Sequence, residues 1–137
     1  MDVQLNPYLN FRDTARDAME FYHSVFGGEL RMQSFKEFGA SEDPSDDDKV
    51  MHAQLEAGDV VFMASDTPSS MPYEAGTNFN MSLSGEDESR LRGYFENLSD
   101  GGNVIMPLEQ AQWGDTFGML IDRFGIRWLV NIGKPQS

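Results

Sequence analysis

From Val3 to Phe11 apolar and polar positions alternate, with Leu5, Pro7, Leu9 and Phe11 on one side and Asn6, Tyr8 and Asn10 on the other. That period of two predicts a half-buried strand. Ala15, Ala18, Met19, Tyr22 and Phe26 then recur at helical spacing behind Asp13 or Thr14 as N-cap, and Gly27-Gly28 stops the helix. Apolar segments around 30–38, 50–55 and 60–64 read as strands, the last two joined by the tight Ala57-Gly58-Asp59 connection of a hairpin. The acidic stretch between them, Ser41 to Lys49 with Pro44 inside it, is expected to be an exposed excursion.

The second half repeats this order. Phe79, Met81 and Leu83 alternate with Asn78, Asn80 and Ser82; Leu91, Tyr94, Phe95 and Leu98 mark an amphipathic helix; Gly101-Gly102 ends it; strand-like segments follow around 104–108, 117–122 and 126–132. With the two Gly-Gly stops in register, Leu9 falls on Leu83, Phe21 on Phe95 and Leu30 on Val104. The chain therefore reads as two tandem βαβββ modules, about 1–70 and 76–137, in an α+β domain.

Composition changes this picture in what it excludes. A chain of 137 residues with 39% hydrophobic and 24% charged positions has the make-up of one folded domain. Ten Lys and Arg stand against 23 Asp and Glu, a formal charge of −13 that repels phosphate backbones and anionic membranes, so neither nucleic acid nor a membrane is an expected partner. There is no cysteine, hence no disulfide, thiolate zinc site or cysteine nucleophile, which fits a reducing compartment. The first residues lack the basic-then-apolar pattern of a secretory signal, and the expected location is the cytoplasm.

Several motifs, in order and spacing, carry a family likeness. They are Pro7-Tyr8-Leu9-Asn10-Phe11, the helix end Phe21-Tyr22-His23-Ser24-Val25-Phe26-Gly27-Gly28-Glu29, and Val50-Met51-His52-Ala53-Gln54-Leu55. Met106-Pro107-Leu108, Trp113-Gly114-Asp115 and Asp122-Arg123-Phe124-Gly125-Ile126-Arg127-Trp128 complete the set. Over nearly its whole length the chain resembles the PhnB-like branch of the vicinal oxygen chelate superfamily, which includes glyoxalases, bleomycin-resistance proteins and dioxygenases. The resemblance implies a curved mixed β-sheet wrapped around a pocket, usually completed by a homodimer. Similar sequences are often described as demethylubiquinone methyltransferases, yet no glycine-rich loop opens a helix after the first strand as a nucleotide or methyl-donor site would require.

Metal-using members of the superfamily place His or Glu on the first and last strands of each module, and the corresponding positions here are Asn6, Met63, Asn78 and Leu129. None is a strong ligand for a transition metal, so no metal and no other cofactor is expected. Alternation assigns Leu9, Phe11, Phe62, Ala64, Phe79, Leu83, Trp128 and Val130 to the helix side of the strands. The concave side is left with Asn6, Tyr8, Asn10, His52, Gln54, Met63, Asn78, Asn80, Ser82, Arg127 and Asn131, a wall rich in neutral amides. Such a wall suits a polar organic ligand, with an anionic group near Arg127.

His52, expected beside Tyr8 or Asn78, is the candidate for acid–base work, against the alternative of a hydrogen-bonded structural histidine. Trp113 would cover the ligand or simply close a turn, and Asp115 would anchor a ligand amine or cap a backbone turn. Asp122 is expected to cap the turn at Gly125, and His23 to be solvated. The expected ligand contacts are thus Asn6, Tyr8, His52, Asn78, Asn80, Trp113 and Arg127. Metal-free small-molecule binding is the leading expectation; a metal-dependent lyase, isomerase or dioxygenase and a purely partner-binding dimer are the alternatives.

Overall fold

The computed structural model describes residues 3–134. Its contacts divide the chain into two compact units that part between Glu74 and Ala75. In the first unit the order is β1 (Tyr8–Phe11), α1 (Ala15–Phe26), β2 (Glu29–Ser34), a single 3-10 turn (Pro44–Asp46), β3 (Val50–Ala57) and β4 (Val60–Asp66). In the second it is β5 (Met81–Gly85), α2 (Glu88–Ser99), β6 (Asn103–Gln110), β7 (Thr116–Ile121) and β8 (Arg127–Ile132). Each unit forms a four-stranded mixed sheet, ordered β1-β4-β3-β2 in one and β5-β8-β7-β6 in the other. The first and last strands of each unit run parallel and the remaining pairs antiparallel, so the duplication inferred from the glycine stops is repeated in topology.

Within each unit the helix covers one face of the sheet. Ala15, Ala18, Met19, Tyr22 and Phe26, the five residues picked out by helical spacing, are the buried positions of α1. They meet Leu9, Phe11, Ala53, Leu55, Phe62 and Ala64 from alternate positions of three strands, with Tyr22 and Phe26 packing edge-on against the Phe62 ring. Leu91, Phe95 and Leu98 of α2 are buried likewise, and Trp128, Val130, Ile132 and Leu120 supply the buried side of that unit's sheet.

Both double-glycine stops have a steric reason. A Cβ on Gly28 would lie 2.2 Å from the Glu56 carbonyl oxygen, and one on Gly102 would lie 2.4 Å from that of Ile121. Each second glycine thus lets the chain leaving a helix pass directly over the end of the neighbouring strand, β3 or β7.

Four expectations need correction. The first strand begins at Tyr8 rather than Val3, because Tyr8 is where pairing with Met63 of β4 begins; Leu5 is 97% exposed. Phe79, expected on the helix side, precedes β5 and is 61% exposed. The strand expected over 30–38 stops at Ser34, where Ser34 and Glu37 bond reciprocally, each side chain accepting the other's backbone N–H, and turn the chain. The acidic stretch 41–49 is not wholly exposed: Asp46 is only 3% exposed, pairs with Lys49 at 2.8 Å, and accepts the Ser69 hydroxyl at 2.9 Å.

Lys49 also reaches Asp13 at 2.8 Å, so one ammonium holds two carboxylates from separate loops. Nearby, Arg12 donates to the carbonyls of Pro68 and Met71 and lies over the Tyr73 ring at 5.8 Å. The chain leaving β4 is thereby tied back onto the unit it came from.

Candidate functional site

Cross-strand register decides which side chains share the sheet face turned away from α1. Tyr8 stands opposite Met63, Met63 opposite Gln54, Gln54 opposite Arg31, and His52 opposite Gln33. Residues directly opposite project to the same side. Since Leu9, Ala53, Leu55, Phe62 and Ala64 are claimed by the helix, Tyr8, Arg31, Gln33, His52, Gln54 and Met63 occupy the other face.

Two groupings divide it. At one end the Tyr8 hydroxyl lies 3.5 Å from His52 Nδ1, with the rings 6.0 Å apart and tilted by 45°. At the other, Glu56 accepts from Gln54 Nε2 at 2.6 Å and from Arg31 Nη2 at 3.1 Å. Tyr8, one of the two expected neighbours, is thus beside His52. Arg31 was missed by the sequence reading, and Glu56, a possible ligand with Asn6 and His52 only under the metal-dependent alternative, was left out of the concave wall, although continued alternation along β3, from His52 and Gln54 to Glu56, places the carboxylate on this face.

In the second unit Ser82 stands opposite Leu129, Phe117 opposite Asn131, and Ile121 opposite Arg127, on the face away from α2. Met119 opposite Leu129 joins them, so this face is largely apolar where its counterpart is polar. Arg127 is half-buried and forms no ion pair or hydrogen bond among the described residues. At the mouth of β7 the Trp113 indole N–H donates to Asn131 Oδ1 at 3.3 Å, and Asn131 Nδ2 donates to Asp115 Oδ2 at 2.9 Å. Trp113 also meets Phe117 edge-to-face at 5.6 Å.

The remaining expected residues take different places. Asn6 is half-buried ahead of β1, while Asn78 and Asn80 are exposed ahead of β5. The strand neighbours of Met63 and Leu129 are Tyr8 and Ser82, two and four residues beyond Asn6 and Asn78. Among the described residues no three His, Asp or Glu side chains are grouped as metal ligands would be.

Asp122 accepts the backbone N–H groups of Phe124 at 2.8 Å and Ile126 at 3.1 Å, plus the Trp128 indole at 2.8 Å, which makes it the turn anchor expected from its position before Gly125. His23 is exposed as expected, and its Nε2 lies 3.0 Å from the Gly28 carbonyl oxygen. No helix among the described residues is long and apolar enough to cross a membrane.

The mixed sheets with their paired βαβββ order define a fold of the glyoxalase and bleomycin-resistance type. A structure of a glyoxalase/bleomycin resistance protein/dioxygenase family enzyme from Burkholderia phytofirmans is similar over 91% of this chain and 95% of its own, with 15% identity and a TM-score of 0.58. Residues 3–131 match the family described as 3-demethylubiquinone-9 3-methyltransferase, and this chain belongs to that PhnB-like family. Protein PA1353 from Pseudomonas aeruginosa is 38% identical, with a TM-score of 0.83 over 98% of this chain and 100% of its own. The PhnB protein from Bacillus cereus gives a TM-score of 0.76 at 22% identity, over 96% and 100%.

Proposed function

We propose that this protein binds a polar organic small molecule without a resident metal ion. The observation that carries this reading is the convergence of Tyr8, His52, Gln54 and Gln33 on one sheet face of the first unit, with Arg31 and Glu56 at its edge. Amide, hydroxyl and imidazole groups donate and accept, which suits neutral polar ligands better than a hard cation. In the second unit, taken by itself, Arg127 is proposed to meet an anionic group, since this half-buried guanidinium has no hydrogen-bond or ion-pair partner among the described residues. Asn6 in the first unit and, separately, Asn78, Asn80 and Trp113 in the second are further proposed ligand contacts.

His52 is the group fitted to move a proton, with Tyr8 orienting its ring. Binding alone needs no such step, and methyl transfer does not follow from the family's description. We also propose that the two units work as one domain in the cytoplasm, a reading supported by a family match that runs through both and by the absence of cysteine.

A homodimer is proposed as well. Its support is the edge strand β6, where consecutive Val104, Ile105 and Met106 are all exposed, a hydrophobic edge of the kind that a second chain covers.

A thermal-shift and calorimetric screen of polar metabolites against the chelator-treated protein tests the ligand reading. Saturable binding that weakens in His52→Ala supports it, whereas binding that requires stoichiometric Zn, Ni, Mn or Fe overturns it; Arg127→Ala tests the second unit's contact separately. Sedimentation equilibrium tests the dimer, with Ile105→Lys expected to yield monomers.

A further inference from the structure

Asp115 in the second unit is half-buried, and one of its carboxylate oxygens is engaged by the Asn131 amide at 2.9 Å. Among the described residues its other oxygen accepts no hydrogen bond and the carboxylate forms no ion pair. An anion held partly out of water without a counter-charge is unfavourable unless something supplies that charge.

The same amide joins Asp115 to an aromatic platform. Asn131 accepts from the Trp113 indole N–H, and Phe117 supports the indole ring edge-to-face, yet Trp113 remains 63% exposed. A tryptophan is usually exposed to this extent when one ring face has nothing packed on it. Here the ring is nevertheless fixed in direction by a hydrogen bond and an aromatic contact, so its free face is pre-oriented. An indole face attracts cations more strongly than any other side-chain ring, and the carboxylate beside it selects a cation that can also donate.

We propose that Trp113, Phe117, Asp115 and Asn131 form a subsite for an organic ammonium group, a protonated amine attached to an apolar body. The ammonium donates to the unengaged oxygen of Asp115 while its carbon skeleton lies on the Trp113 ring. The net charge of −13 favours such a cation at long range. The subsite rests on the reading of this protein as a small-molecule binder, but it uses none of the residues of the first unit's polar face.

Benzylammonium chloride is the probe, with sodium benzoate and benzyl alcohol as controls of the same shape. Trp128, the second of the two tryptophans, is 1% exposed, so a change in tryptophan emission reports on Trp113. Saturable emission change and calorimetric binding with benzylammonium, and not with benzoate, is the expected result. Asp115→Asn keeps the shape and an acceptor for Asn131 while removing the charge, and should weaken binding on the order of 10-fold. Trp113→Leu should weaken it as well, read by calorimetry, with near-ultraviolet circular dichroism checking that each variant is folded.

No saturation with benzylammonium, equal binding of benzoate, or unchanged binding in Asp115→Asn each overturns the proposal. His52→Ala separates it from the polar-face reading. Benzylammonium binding that survives that substitution supports the ammonium subsite even where every polar metabolite fails to bind.

Discussion

The Asp66 carboxylate, at the last position of β4, accepts the backbone N–H of Ala15 at 3.0 Å across 51 residues of sequence. Ala15 opens α1, and the Thr14 side chain at the cap position makes no capping bond, so the helix takes its N-terminal acceptor from a distant strand. The second carboxylate oxygen accepts from Val50 N at 3.0 Å, which ties the start of β3 to the same point. Asp66→Asn keeps one acceptor oxygen but turns an amide donor toward a buried N–H. We expect it to cost about 2–3 kcal/mol, and Asp66→Ala at least as much, measured by urea denaturation. A loss below about 0.5 kcal/mol would mean that the helix start does not depend on this carboxylate.

The two glycines that follow the helices make a paired test. Gly28→Ala and Gly102→Ala each force a Cβ to within 2.2 Å and 2.4 Å of a backbone carbonyl oxygen that cannot swing aside. Both should destabilise by more than about 2 kcal/mol. Gly27→Ala has open space around its Cβ and suffers only from its φ of +73°, for which about 1 kcal/mol is expected. Thermal unfolding of the three variants ranks them, and a Gly27→Ala variant less stable than Gly28→Ala would contradict the steric account.

Lys49 gives stability a predictable pH dependence. Its hydrogen bond to Lys49, opposed by burial, holds the Asp46 carboxyl below the ordinary value of 3.8, so the contribution is complete above that value and vanishes as pH falls through the lowered one. The hydrogen bonds to Asp13 and then Asp46 raise Lys49 above its ordinary 10.5, so its contribution is complete below 10.5 and disappears as pH climbs through the raised value. Lys49→Met should therefore be less stable than the parent by a roughly constant margin between about pH 5 and 9, shrinking at both extremes. Urea midpoints measured across pH decide it, and a margin that persists unchanged at pH about 2 would sink the assignment.

Asp122 offers a spectroscopic test of the last turn. Its carboxylate receives the Trp128 indole N–H at 2.8 Å in a site where that ring is buried. Asp122→Ala leaves the indole and two backbone N–H groups without this acceptor, at a cost of about 2–4 kcal/mol. The near-ultraviolet dichroism of Trp128 should weaken along with stability. A stable variant with an unchanged tryptophan signal would assign the turn to other interactions.

Much of the assignment of residues to sheet faces was legible because a strand has only two sides. Alternation around Leu55, Phe62 and Val130 assigned the buried face, and so put His52, Gln54, Met63 and Arg127 opposite. Alternation misled where no strand pairing is found among the described residues, as at Leu5 and Phe79, whose apolar character matched a pattern that the pairing of β1 and β5 does not extend to. Arg31 escaped notice because β2 shows its place only through pairing with Gln54.

The amino-acid order alone determined the helical stripe of Ala15, Ala18, Met19, Tyr22 and Phe26, both double-glycine stops, the hairpin at Gly58 and the duplication that they outline. Those features rest on spacings of a few residues, which local backbone geometry converts directly into faces and turns. Tertiary structure alone decided that Asp66 caps α1 and that Arg12 grips the carbonyl of Met71 at a separation of 59. Contacts of that kind follow from which strands pair and in what register, and no local spacing encodes that choice.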